Sequence, residues 1–179
     1  MSFIKKIKRF VGKRSINRQL KKISRTKQTC SLESAKTIGV LFVYNHQKGF
    51  KEIKEFLSDM AKQGKQVFAL GYIPPNQNFS NADLLANINY FNHKELKWFG
   101  KPNLESVEAF MKQEFDMMFT FCSEYLYPIE YVNQLSLSKF KIGFPSYLEF
   151  GSDFCLDVEN QNDLKYYIEQ LMLYLNMIK

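Results

Sequence analysis

The stretch that most constrains the fold is residues 37–44, TIGVLFVY. Seven of these eight residues are apolar, aromatic or glycine, and no polar residue alternates with them. A short continuous run of this kind, rich in β-branched and aromatic residues, is typical of a strand buried on both faces. A polar loop at residues 45–49 follows, and a helical pattern then begins at Phe50. The sequence therefore predicts a strand, loop and helix of the kind that builds parallel α/β sheets.

The rest of the chain repeats this alternation. Further strands are predicted at 65–73, 88–91, 115–122 and 140–144, and shorter runs at 97–99 and 154–158 are compatible with two more. Helices are predicted over 50–60, 104–113, 129–139 and 163–178. Strands that alternate with helices imply crossover connections and a parallel sheet. We therefore expect an α/β fold with three layers, Rossmann-like, with a mostly parallel sheet of about five strands.

The charge of the chain divides it into two parts. Residues 1–32 contain eleven of the 25 Lys and Arg and none of the 18 Asp and Glu. Residues 33–179 therefore contain fourteen basic and eighteen acidic residues, which gives a net charge of −4. We expect a basic N-terminal arm at 1–32 and a single α/β domain at 33–179. Such asymmetry points to an anionic partner for the arm.

The arm shows the spacing of an amphipathic helix. An apolar stripe recurs at helical spacing and is formed by Phe3, Ile4, Ile7, Phe10 and Val11. The pattern predicts two helices, or one helix that Gly12 weakens by about 1 kcal/mol relative to alanine. The longest apolar run of the arm has two residues, so no transmembrane segment is expected. The candidate RNA- or lipid-binding residues are Lys5, Lys6, Lys8, Arg9, Lys13, Arg14, Arg18, Lys21, Lys22, Arg25 and Lys27.

Three interpretations of the arm are open. Its stripe packs on its own domain, or the arm lies on an anionic membrane, or it binds RNA. Basic residues continue to Lys27, beyond the stripe, and the arm has no Trp to anchor it at a membrane interface. These two observations favour RNA, most directly the ribosome, by a narrow margin. The alternatives are a peripheral protein on the cytoplasmic face of the inner membrane and a subunit of a protein complex.

Candidate chemistry lies in the loops that follow the strands, because ligands of parallel sheets bind beyond the carboxyl ends of the strands. His46 and Glu124 would form an acid/base pair if their loops converge. A histidine in a loop is more often simply solvated, and Asp153, Asp157 and Glu159 are expected on a solvated face. The candidate ligand-binding residues of these loops are Asn45, His46, Lys48, Asn76, Ser123 and Glu124.

Motifs for catalysis or cofactor binding are missing from the sequence. There is no glycine-rich phosphate loop, no GxSxG elbow and no HExxH helix. We therefore expect a non-enzymatic accessory protein with no catalytic residue, no cofactor and no metal ion. The three cysteines, Cys30, Cys122 and Cys155, are widely spaced and predict free thiols in a reducing, cytoplasmic compartment.

The chain from Thr37 onward resembles a family of small uncharacterised α/β proteins from Bacteroidota. The residues that carry this resemblance are TIGVLFVYN at 37–45, QVFALGYIP at 66–74, FDMMFTF at 115–121 and SKFKIGF at 138–144. The resemblance implies a bacterial cytosolic protein and no known activity. The last two segments are also similar to one half of heptosyltransferase-like glycosyltransferases. That similarity implies, as a third alternative, a small enzyme or a nucleotide-sugar-binding domain.

Overall fold

The described part of the chain contains five α-helices, six strands and a short 3-10 helix at His93–Glu95. The structure is a computed structural model and describes residues 3–45, 49–75, 77, 79, 88–145, 151–158 and 163–178. The helices are α1 (Phe3–Leu20), α2 (Phe50–Lys62), α3 (Glu105–Lys112), α4 (Tyr127–Leu135) and α5 (Leu164–Leu175). The strands are β1 (Thr37–Val43), β2 (Gln66–Ile73), β3 (Ile88–Asn92), β4 (Met117–Phe121), β5 (Phe140–Gly143) and β6 (Phe154–Cys155).

The strands form one sheet in the order β3-β2-β1-β4-β5-β6, and every pairing between neighbours is parallel. The sheet extends from β1 in both directions, to β2 on one side and to β4 on the other. Right-handed crossovers in these two directions put their helices on opposite faces of the sheet. Accordingly α2 contacts α5, whereas α3 contacts α4 and α4 packs on β1. The predicted three-layer α/β fold is confirmed. The sheet has six strands rather than about five, because the two-residue strand β6 adds to β5.

The core forms around β1, the strand that the sequence predicts most clearly. Val40, Leu41 and Phe42 of β1 are completely buried, as expected for a strand covered on both faces. The buried positions of α2 are Phe50, Ile53, Phe56, Leu57 and Met60, which are the positions that its helical spacing predicts. The ring of Phe56 lies 5.0 Å from that of Phe119 and 5.2 Å from that of Phe121, so α2 is fixed on β4 by edge-to-face contacts.

Two local predictions differ from the structure. Residues 97–99 form no strand but lie in a tight turn, in which Lys97 N donates to Lys101 O at 2.8 Å and Leu96 bridges Pro102. The helix predicted over 129–139 begins earlier, at Tyr127, and ends at Leu135. The backbone becomes extended at Ser136, where the chain turns towards β5.

The N-terminal arm packs on the domain as one continuous helix. Gly12 does not interrupt α1. It lies where the helix approaches the ring of Tyr127 on α4. A Cβ atom at Gly12 would lie 2.5 Å from the ring of Tyr127, whose hydroxyl donates to Gly12 O at 3.0 Å. One turn further on, Ile16 is 1% exposed and packs with Tyr131 and Leu135 of α4. The absent side chain of Gly12 therefore allows α1 to lie against α4.

The segment that follows α1 is held by an ion pair. The guanidinium of Arg25 donates to both carboxylate oxygens of Asp153, and to Ser138 O at 2.5 Å and Lys139 O at 2.9 Å. The side chains of Arg25 and Asp153 are only 11% and 15% exposed. The expectation that Asp153 lies on a solvated face is therefore wrong. Leu32 belongs to the main core. The division into an arm at 1–32 and a single domain at 33–179 stays a prediction.

Candidate functional site on the N-terminal helix and its adjoining cleft

The loops at the carboxyl edge of the sheet come together only in part. Asn45 follows β1, and Ser123 and Glu124 follow β4, which is its neighbour in the sheet. His46, Lys48 and Asn76 lie outside the described residues, and so does the predicted pair of His46 with Glu124. Ser123 and Glu124 are exposed, and the Cys122 thiol contacts Glu124 O at 3.0 Å. No acid/base pair can be assigned from the described residues of these loops.

The space beyond β1 is filled by aromatic rings. This strand order is that of the Rossmann fold, whose ligands bind where the order reverses, between β1 and β4. Tyr44 is fully buried just after β1, with its ring 4.9 Å from Phe50 and 5.1 Å from Phe79. The Phe79 ring also lies 4.8 Å from Tyr90. Phe79 follows β2 and Tyr90 belongs to β3, so these rings pack on the side of β1 that faces β2 and β3.

A buried lysine on β5 is a second place where chemistry would be expected, because strongly perturbed groups cluster at functional sites. Lys141 is 1% exposed, and its ammonium donates to Asn133 O at 2.6 Å and Gln134 O at 3.1 Å. Those carbonyls belong to the last turn of α4, where no intrahelical donor remains. Burial, together with the positive charge of Arg25, lowers the pKa of Lys141 to about 7. Lys141 therefore caps α4 and has no access to a substrate.

The pKa of Lys141 makes the stability of the fold depend on pH. Because the pKa of about 7 in the folded chain lies below the value of roughly 10.4 expected after unfolding, the unfolded chain binds more protons above pH 7. We expect the free energy of unfolding to rise by on the order of 1 kcal/mol between about pH 7 and 8. Urea unfolding at the two pH values measures the rise. The rise in the free energy of unfolding should be lost in Lys141→Met and kept in the exposed control Lys112→Met. An unchanged rise in Lys141→Met would show that Lys141 is not the group responsible.

The apolar stripe of α1 lies on the side of the helix that faces away from the domain. At about 100° per residue, Phe3, Ile7 and Phe10 lie within about 60° of one another and on the opposite side from Gly12 and Ile16. Phe3 is 76%, Ile7 40% and Phe10 66% exposed. The interpretation that this stripe packs on its own domain is therefore wrong, since α1 docks through a different face.

The predicted basic residues divide into three groups. Most of them are exposed along the helix and just after it, namely Lys6, Lys8, Arg9, Lys13, Arg14, Arg18, Lys21, Lys22 and Lys27. The same 100° spacing puts Arg14, Arg18 and Lys21 on the face that carries the stripe. Arg25 is instead committed to Asp153 and is not part of a free basic surface. The side chain of Lys5 lies outside the described residues.

A cleft of about 550 Å³ opens between α1 and two segments of the domain. Residues 93–100 follow β3 and form one wall. Tyr125 and Tyr127, just before and at the start of α4, form another. Its cationic lining consists of Lys8 and Arg9 from α1 and Lys97 from the turn. Its aromatic lining consists of Trp98, Phe99, Tyr125 and Tyr127, and His93 also lines it. The Arg9 guanidinium lies 5.4 Å from the centre of the Tyr125 ring.

A buried carboxyl group lies behind the aromatic wall of this cleft. Glu130 on α4 is 1% exposed, and its Oε2 has no hydrogen-bond partner among the described residues. Burial raises the pKa of Glu130, although its hydrogen bond with Tyr125 and the charges of Lys13 and Arg9 act in the opposite direction. Burial also raises the pKa of Tyr131 to about 12. The interface of α1 with α4 therefore combines the apolar packing of Ile16 with a buried carboxyl group whose charged form Lys13 and Arg9 favour.

Sequence reasoning finds the cationic half of this cleft and misses the aromatic half. Lys8 and Arg9 are among the predicted binding residues, whereas residues 97–99 are read as a strand. The available signal is the single Trp of the chain between Lys97 and Phe99, in a segment that ends at Gly100. A strand pattern of three residues is weak, and a solvent-exposed Trp in a turn is a common feature of binding sites.

Two structural features are missing from the described residues. No helix among them is both long enough and apolar enough to span a bilayer. No group of three or more His, Cys, Asp or Glu side chains in the described ranges is arranged to hold a metal ion.

Comparison with known proteins gives a family and no activity. No curated protein and no solved structure matches the chain. The resemblance to heptosyltransferase-like enzymes and the origin in Bacteroidota therefore stay predictions. A model of DUF6913, described as a family of unknown function, matches residues 8–178. This match covers the sheet, the cleft and most of α1, and the chain belongs to the DUF6913 family.

Proposed function

We propose that the protein is a peripheral membrane protein that binds an anionic lipid surface through α1 and holds its α/β domain there. The observation that carries this proposal is the exposed stripe of Phe3, Ile7 and Phe10 on the face of α1 opposite its contact with α4. The first three turns of that face are apolar and the next turns are basic. An interfacial helix has this composition, with an apolar face inserted and cations paired with lipid headgroups.

The contact of α1 with α4 favours binding of the helix to a lipid surface. Interfacial helices that are disordered in solution lose conformational entropy when they bind, whereas α1 is already helical and docked. Exposed basic residues contribute roughly 1 kcal/mol each near an anionic membrane. Phe10 and Ile7 add apolar contact, since a fully buried side chain of this size contributes about 1.5–3 kcal/mol. The basic residues and the apolar stripe together therefore give a larger free energy of binding than either gives alone.

RNA, including the ribosome, is the second candidate partner. The observation that favours it is that Lys21, Lys22 and Lys27 continue the exposed charge beyond the apolar stripe. Phosphate contacts of this kind give an affinity that falls steeply with salt. An exposed apolar stripe is not needed for phosphate binding, however, and RNA leaves Phe3 and Phe10 without a role. For this reason the lipid surface is the better proposal.

The test titrates the full chain with vesicles of equal parts phosphatidylglycerol and phosphatidylcholine, and separately with purified ribosomes. One variant breaks the stripe (Phe3→Ser, Ile7→Ser and Phe10→Ser), and another neutralises the charges beside it (Arg14→Gln, Arg18→Gln and Lys21→Gln). We expect each variant to bind the vesicles about tenfold to a hundredfold more weakly, because partial loss of apolar burial or of several lipid contacts costs roughly 1.4–2.7 kcal/mol.

A matched control removes three exposed apolar side chains elsewhere, on or just after α5. The triple variant Leu173→Ser, Tyr174→Ser and Met177→Ser should bind the vesicles like the wild type, although Leu173 and Met177 are 52% and 64% exposed. Vesicle binding that survives loss of the stripe would contradict the proposal. Ribosome binding that depends on the charges and not on the stripe would support the second candidate instead.

A further inference from the structure

We propose that the cleft between α1 and residues 93–100 binds a nucleotide, that is, a planar base that carries a phosphoryl group. This proposal does not rest on membrane docking, because the cleft and the apolar stripe lie on different sides of α1. The space is suitable, since a volume of about 550 Å³ falls within the usual range of roughly 300–1,000 Å³ for small-molecule sites.

The aromatic wall supplies a surface for the base. Trp98 is 61% and Tyr125 38% exposed, so both rings are only partly covered by the protein. The Phe99 ring supports Trp98 from the side, with its centre 5.5 Å away in an edge-to-face arrangement. Stacking of a base on an aromatic ring is favourable for every base, because each presents a π-face. A planar ring is therefore the ligand group that this wall suits best.

The cationic side chains supply the contacts for the phosphoryl group. Lys8 and Arg9 come from α1 and Lys97 from the turn after β3, so charges from two distant parts of the chain converge on one cleft. None of the described residues that line the cleft is Asp or Glu. Arg and Lys beside an aromatic surface are the groups that recognise phosphate next to a stacked base.

The place of the cleft in the fold agrees with this chemistry. Residues 93–100 follow the carboxyl end of β3, Tyr125 lies in the connection from the carboxyl end of β4 to α4, and Tyr127 begins α4. Ligands of open parallel sheets bind at this edge.

Trp98 is the only tryptophan of the chain, so its fluorescence reports on the cleft directly. The experiment titrates the full chain, without lipid, with AMP, adenosine and inorganic phosphate in separate arms, and calorimetry repeats the AMP arm. We expect AMP to quench Trp98 saturably, and adenosine and phosphate to bind at least tenfold more weakly. A fourth arm titrates a short oligoadenylate, which distinguishes a free nucleotide from the same group within RNA. If RNA is the ligand, the oligoadenylate should bind more tightly than AMP.

Variants connect the signal to the cleft. Arg9→Ala and Lys97→Ala should each weaken AMP binding about tenfold, whereas Arg14→Ala, on the opposite face of the same helix, should leave it unchanged. Thermal unfolding of each variant confirms that the fold is intact. Absence of saturable AMP binding would overturn the proposal. Binding of AMP that Arg9→Ala and Lys97→Ala leave intact, or binding of phosphate as tight as that of AMP, would overturn it too.

Discussion

Replacement of Asp116 by alanine is expected to lower the free energy of unfolding by about 2–4 kcal/mol, because four hydrogen bonds to a charged acceptor are lost, and such bonds contribute roughly 1.5–3 kcal/mol each when buried and less at partly exposed donors such as these. Asp116 lies just before β4, and its Oδ2 accepts from Lys36 N at 2.9 Å, Thr37 N at 3.0 Å and Thr37 Oγ1 at 3.1 Å. Its Oδ1 accepts from Lys139 Nζ at 2.9 Å. This carboxylate therefore joins the starts of β1, β4 and β5. Urea unfolding of the variant measures the loss.

The pH dependence of this effect has a definite sign. Burial by itself raises the pKa of Asp116, but the hydrogen bonds from Lys139, Lys36 and Thr37 hold that pKa well below its usual range. The stabilisation is therefore present above the unfolded pKa of about 3.9 and is lost as the pH falls below it. Asp116→Asn should weaken this acid dependence. The exposed Asp59→Ala is the control, and an equal loss of stability in Asp59→Ala and Asp116→Ala would refute the argument.

Introduction of a single methyl group at Gly39 is expected to destabilise the fold by about 3 kcal/mol, at the upper end of the range for an overpacked core. A Cβ atom at Gly39 would lie 2.4, 2.7 and 2.9 Å from three ring atoms of Phe115. Phe115 is 1% exposed and cannot move aside freely, because its ring is 4.9 Å from that of Phe110 and 5.6 Å from that of Phe68. Thermal and urea unfolding of Gly39→Ala measure the cost.

A double variant distinguishes this clash from a general effect of alanine. In an unstrained strand, alanine would be more favourable than glycine by roughly 0.5–1 kcal/mol. Phe115→Leu removes the ring atoms that approach Gly39, so Gly39→Ala should cost at least about 1 kcal/mol less in that background, a coupling of the size expected for residues in contact. Additive effects of the two substitutions would show that the ring does not limit residue 39.

Local patterns determined the elements of the sheet. Residues 37–44, 66–73 and 117–121 are continuous apolar runs, and α2 places apolar residues at helical spacing, so burial of each element follows from its own residues. Alternation of strands and helices also predicts the parallel connections. The charge of the arm is equally visible, because it depends on composition alone. These features are properties of short segments, and the sequence by itself specifies them.

Contacts between distant residues decided the rest. The pairing of Arg25 with Asp153 spans 128 positions, and that of Tyr127 with Gly12 spans 115. No local period encodes such contacts, so Asp153 looks solvated and Gly12 looks like a helix breaker when each is considered only with its neighbours. The same holds for the cleft, whose Arg9 and Lys97 meet only because α1 docks on α4. Sequence determined that the arm is charged and amphipathic, whereas tertiary packing decided which face of it remains free, since that depends on the surface that α4 presents to Gly12 and Ile16.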